Sequence, residues 1–216
     1  MSNYIEDRRP DIIVHLGDHF DLPSLSKHTL AGEREGLRYT RDVESGIRAT
    51  DLLMTWRKST KGYNPDCHFL LGNHENRIER TLEEMPNLKG SISTADLDLE
   101  RHWNVHPFLR PVRIEGVDFS HYFISGCMGR PVSSSAVLLR ERQGSAIMGH
   151  RPDFQLSIHP RTGKTAVFAG ICYTHNEKYL TPQFRSKPHV LMLHEVCQGR
   201  FDIMDVSLNF LQRKYS

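Results

Sequence analysis

Short apolar runs that stop abruptly at polar loops mark the first half of the chain. Residues 11–16 (DIIVHL) are apolar and β-branched and end at Gly17-Asp18, which predicts a buried strand feeding a loop. Residues 22–40 are polar and mixed, with Gly32 and Gly36, and predict an excursion over the surface. From about 42 to 58 the spacing turns helical, and Val43, Ile47, Leu53, Met54 and Trp56 form an apolar stripe suited to core packing. Residues 61–65 (KGYNP) break it. Residues 67–71 (CHFLL) predict a second buried strand, ending at Gly72-Asn73-His74-Glu75. A charged helix follows over about 77–84 and stops before Pro86, while 87–104 fit no single element.

The pattern then changes. Residues 112–114 and 117–123 flank Glu115-Gly116 and predict a hairpin whose second strand contains His121. Residues 133–142 predict a short helix, and 146–148 a third apolar strand ending at Gly149-His150. Two further hairpins are predicted, 154–158 with 165–169 and 190–196 with 201–206. Strand–helix alternation followed by hairpins predicts an α/β fold with a mixed sheet. No repeat, low-complexity tract or linker interrupts the chain, so a single domain over 1–216 is expected.

Composition narrows the classes. A chain of 216 residues can bury a core without disulfides, and 38% hydrophobic with 25% charged residues is globular rather than disordered. A net charge of +2 gives no support for nucleic acid as partner. The basic clusters Arg8-Arg9 and Arg140 with Arg142 are too short to change that. No apolar run approaches the ~20 residues that span a bilayer, so no membrane association is expected. Cys67, Cys127, Cys172 and Cys197 form no CxxC pair and read as reduced thiols, so a cytoplasmic location is expected. The departure is histidine, 13 in 216. Histidine binds metals and carries protons near neutral pH.

The chemistry concentrates where apolar runs end. One run leads to Asp18, one to Asn73 and His74, and one to His150, and His121 could reach the same edge. In open α/β sheets the ligand site lies off the carboxyl ends of the strands. One carboxylate, one amide and two imidazoles offer oxygen and nitrogen without thiolate, which suits Mn, Fe, Zn or Ni.

GDHFD (17–21), GNHE (72–75), SHYF (120–123) and GH (149–150) resemble, in order and spacing, the calcineurin-like metallophosphoesterase superfamily. The resemblance runs from residue 11 to about 169, and 121–131 (HYFISGCMGRP) is most similar to a phage- or prophage-type branch. It implies a mixed-sheet α/β/β/α sandwich and a metal-dependent phosphoester hydrolase acting on a phosphomonoester or phosphodiester. Asp18 would bridge two divalent metals. Asn73, His121 and His150 would complete the second metal's ligands. His74 would face the substrate phosphate and donate to the leaving oxygen, with Asp21 fixing its tautomer. The implied reaction is in-line attack on phosphorus by a metal-bound hydroxide.

Two departures bear on this. The family's DxH, normally on a strand before GDxxD, is absent from MSNYIEDRRP, and Pro152 stands where the second histidine of GHxH belongs. Both serve the first metal, so the second site is complete and the first is doubtful. Three readings follow. The favoured one is a chain truncated at its N-terminus and missing its first strand. The second is a one-metal or catalytically inactive binding or scaffold module. In the third, His15, His19 or His175 replaces the missing ligands, although His15 should point to the face opposite Asp18.

Blander readings apply elsewhere. Glu75 reads as a helix-start acid favoured by the helix dipole. Arg77 and Arg80 read as a solvated helix face, with a phosphate contact as the alternative for Arg77. Arg151 is balanced between substrate contact and surface. His28, His68, His102, His106, His159, His189 and His194 read as solvated or core-edge residues. Nothing in the sequence identifies the substrate or the oligomeric state, and the selecting loops are expected at 22–40 and 87–110.

Overall fold

Three parallel strands carry the first part of the chain: β1 (Ile12–His15), β2 (Asp66–Leu70) and β3 (Asn104–His106), ordered β1-β2-β3. The computed structural model describes residues 1–27, 32, 35–174 and 186–215, which divide into two compact units, Met1–Phe108 and Leu109–Ser216. His28 and His175, and part of the predicted surface excursion, lie outside the described residues.

In the first unit, helices Ser2–Arg8, Tyr39–Leu53 and Arg77–Glu84 accompany the sheet. Phe20, Trp56, Phe69, Ile78 and Trp103 are among its fully or nearly buried core residues. The predicted helix over 42–58 proves to be two pieces. Tyr39–Leu53 ends as Met54 leaves helical geometry, and a short turn, Trp56–Ser59, follows. Its buried face includes Gly46 and Thr50 as well as Val43. A Cβ on Gly46 would lie 2.1 Å from the Phe20 ring, so only glycine lets that ring seat against the helix. The unassigned stretch 87–104 contains short 3-10 turns, one closed by a Ser93–Asp96 capping box, before it enters β3.

The second unit holds a five-stranded sheet in the order β4-β5-β8-β10-β9: β4 (Val112–Ile114), β5 (Val117–Ser120), β8 (Ser145–Met148), β10 (Thr165–Ala169) and β9 (Phe154–Ile158). β5, β8 and β10 run parallel, and β4 and β9 close the edges antiparallel. Central β8 is buried along its whole length, which explains its unbroken apolar reading. Helix Ser135–Arg142 starts two residues later than the sequence predicts, because the Ser134 side chain accepts from the Val137 N–H as its cap. A small ribbon pairs β6 (Ile124–Ser125) with β7 (Arg130–Pro131). All three predicted hairpins form, the last as β11 (His189–Cys197) with β12 (Arg200–Ser207). The chain is thus a mixed α/β protein with parallel and antiparallel pairing. Among the described residues no helix is long and apolar enough to cross a membrane.

Candidate active site

Parallel pairing of β1 with β2 brings their following loops to one edge, and these loops hold Asp18 and Asp21, and Asn73 and His74. The two loops approach closely enough to need glycine on both sides. Gly17 has φ +91°, and a Cβ there would lie 2.5 Å from the Leu70 carbonyl oxygen. A Cβ on Gly72 would lie 2.2 Å from Asp18 Oδ1. Asp18 itself is left-handed, φ 56°, an uncommon conformation for a residue with a Cβ. Its Oδ1 accepts the His74 backbone N–H at 3.0 Å, and its Oδ2 lies 4.0 Å from His74 Nε2.

The other ring nitrogen of His74, Nδ1, is 2.8 Å from Asp21 Oδ1. The hydrogen bond from His74 holds the Asp21 carboxyl below the usual carboxylate range, with help from the charges of His74 and Arg77 and against partial burial. An ionised Asp21 requires a proton on Nδ1, which fixes the tautomer. Asp18, Asp21 and His74 thus meet at this edge, and Asn73 precedes His74 on the second loop.

Two neighbours read differently from the sequence expectation. Glu75 is not a helix-start acid. It is fully buried and lies before the helix, which begins at Arg77. Its Oε1 accepts from the N–H groups of His19 at 2.7 Å and Phe20 at 2.8 Å. Its Oε2 accepts from Asp18 at 3.0 Å and Gly72 at 2.7 Å. Burial and the nearby Asp18 charge push its carboxyl up, while these N–H groups pull it down. Arg77 is not on a solvated face either, being 8% exposed. Its Nη1 donates to the Asp21 carbonyl at 2.6 Å and the Leu22 carbonyl at 3.3 Å, and lies 3.7 Å from the Asp21 carboxylate. The sequence offers little local signal for either role, since every partner named except Gly72 lies 55–57 residues away.

The proposed substitute ligands pack within their own unit. The His15 ring stacks on Phe69 at 4.5 Å, and its Nδ1 accepts the Gly17 N–H. His19 Nε2 lies 3.1 Å from the Gly46 carbonyl and 3.0 Å from Thr50 Oγ1, and burial lowers its pKa.

In the second unit the same strand-end logic recurs. β5 and β8 run parallel with Ser120 opposite Met148, so the residues after them share an edge. His121 stands one residue past β5, not within a hairpin strand as predicted, because the strand stops at Ser120. Its carbonyl accepts the Gly149 N–H at 3.0 Å, which ties the two strand ends together. His121 is 2% exposed, whereas His150 is exposed and left-handed, φ 62°. Their rings are 5.2 Å apart, and a nitrogen of each lies within 4.8 Å of the other. The Tyr122 ring packs 4.7 Å from His150. Arg151 lies 3.6 Å from the Asp153 carboxylate.

Two histidines read as solvated or core-edge are buried and engaged. His68 Nδ1 is 2.9 Å from His106 Nε2, and its Nε2 is 3.0 Å from Asp66. His189 pairs with Asp205 at 2.6 Å and lies 2.7 Å from the Ala169 carbonyl.

The donor set suits a borderline divalent metal. The first unit offers a carboxylate and an amide oxygen on adjoining loops, and the second offers two imidazoles close enough to share an ion. No family model matches the chain, and no curated protein matches its sequence.

Proposed function

We propose that this chain is a metal-dependent phosphoester hydrolase with the fold of the calcineurin-like metallophosphoesterases. Asp18 and Asn73 of the first unit, and His121 and His150 of the second, are the residues that would supply ligands to a divalent metal (Mn, Fe, Zn or Ni). The observation that carries this reading is the Asp21–His74 pair at 2.8 Å, with the second ring nitrogen of His74 4.0 Å from the Asp18 carboxylate. An imidazole oriented by one carboxylate and aimed toward another is the arrangement a general acid needs beside a cation site.

When bound, the metal would neutralise phosphoryl charge and supply the nucleophile. The protein's own part follows from the geometry. His74 donates a proton from Nε2 to the leaving oxygen of the ester. Asp21 accepts from Nδ1 and stabilises the imidazolium before that transfer. Arg77 keeps Asp21 in place through the carbonyls of its loop.

These four residues are the second metal's ligands, while Pro152 offers none to the first after His150. A binding module that keeps the fold without catalysis is the competing case. Metal content and turnover together separate them. The hydrolase should retain divalent metal, lose it in both Asp18→Ala and His150→Ala, and release p-nitrophenol from a mono- or bis-aryl phosphate. Bound metal without release from either ester would favour the binding module. No metal on the wild-type chain would overturn the site.

A further inference from the structure

We propose that Glu75 is the positioning residue of this site: its buried carboxylate gathers the N–H groups of Asp18, His19, Phe20 and Gly72 and thereby sets the Asp18 carboxylate for the metal. The inference rests on the metal-site reading above. Three consecutive N–H groups, from Asp18, His19 and Phe20, converge on Glu75, with that of Gly72 joining from the second loop. Successive N–H groups turned inward around a left-handed residue form a concavity that attracts an anion. Here the chain supplies that anion itself, and each oxygen takes two donors.

The consequence falls on Asp18. Its left-handed backbone, φ 56°, is sparsely populated for a residue with a Cβ and persists where the surroundings hold it. Glu75 bonds the N–H of that very residue and of the two after it. The same carboxylate bonds Gly72, whose missing Cβ leaves the space that Asp18 Oδ1 occupies. Arg77 makes the complementary contacts, taking the carbonyls of Asp21 and Leu22 where the loop leaves the site. An acid and a base two residues apart thus hold the donors and the acceptors of one loop.

The test is Co²⁺ titration of the whole chain, followed by visible absorption and calorimetry, on wild type, Glu75→Gln and Met54→Ala. Glutamine keeps the shape but turns an NH₂ toward two N–H donors. Glu75→Gln should fold, bind Co²⁺ about 10–100-fold more weakly and change the absorption pattern. In amide NMR spectra the Asp18, His19, Phe20 and Gly72 protons should move upfield. Met54→Ala truncates a buried core side chain without removing a partner of Glu75 and controls for simple destabilisation; its affinity should match wild type. A folded Glu75→Gln chain with wild-type affinity and spectrum would overturn the role of Glu75 alone. Should Glu75→Gln fail to fold, Glu75→Asp decides. It keeps the charge but is too short to reach both pairs of donors, so a partial loss is expected and full affinity would overturn the proposal. Absence of Co²⁺ binding by wild type would overturn the metal site and this inference together.

Discussion

His74 is held at its backbone by Asp18 and at its ring by Asp21, so its position depends on two acids with different duties. Asp21→Asn would remove the carboxylate that orients the His74 ring but leave the Asp18 contact. Its expected effect is a fall in kcat with little change in metal affinity, read from steady-state kinetics at saturating metal. In the second unit Asp118 is the buried acid. Burial alone would push its carboxyl up, but paired hydrogen bonds from Arg113 (2.7 and 3.1 Å) and one from Arg142 (2.6 Å) hold it below the usual range. A depressed carboxyl pKa stabilises the fold above its unfolded value of roughly 3.9, and that contribution is lost as pH falls through the folded value. Asp118→Asn should therefore cost about 1–2 kcal/mol at pH 7, reduced because both arginines reach water, and should flatten the acid side of the stability profile. Thermal melts of the two chains between pH 3 and 7 check this. Residue identity alone made Asp18, Asn73 and His74 legible, because a carboxylate, an amide and an imidazole after apolar runs carry a chemical signal. Glu75 and Arg77 carry none, since their meaning comes from backbone groups on a distant loop.

Among the elements, the apolar runs were the readable part. β1, β2, β8 and the three hairpins fall where alternation and β-branching predict them. Their ends were less readable. β5 stops at Ser120, and the helix from Tyr39 stops at Leu53, where Met54 leaves helical geometry. Gly46 shows how one position couples elements. It lies in the middle of a helix, where glycine is unfavourable, yet the Phe20 ring occupies the space a Cβ would take. Gly46→Ala should thus destabilise rather than stabilise, by about 1–3 kcal/mol from overpacking. Denaturant titration should show the lower midpoint. A gain in stability would mean that the ring can move aside, and that the loop carrying Asp18 is held less firmly than the contacts imply.

At the scale of the molecule, charge and titration set the working range. A net charge of +2 spread over 216 residues offers no strong field to draw in a polyanion. Burial lowers the pKa of His19, His102 and His106, all in Met1–Phe108. The unfolded chain then binds more protons than the folded one below about pH 6.5, so stability should fall as pH drops from there toward the folded values. Hydrogen exchange at pH 7 and pH 5.5 should show protection lost in that unit. The most direct test of the hydrolytic centre is turnover of p-nitrophenyl phosphate by the wild-type chain and by His74→Ala, before chelation, after chelation and after Mn²⁺ is restored. Wild type should lose activity on chelation and regain it with Mn²⁺, while His74→Ala should keep its metal and turn over about 10²–10⁴-fold more slowly. Turnover indifferent to chelation, or equal in the two chains, would contradict a metal centre served by His74.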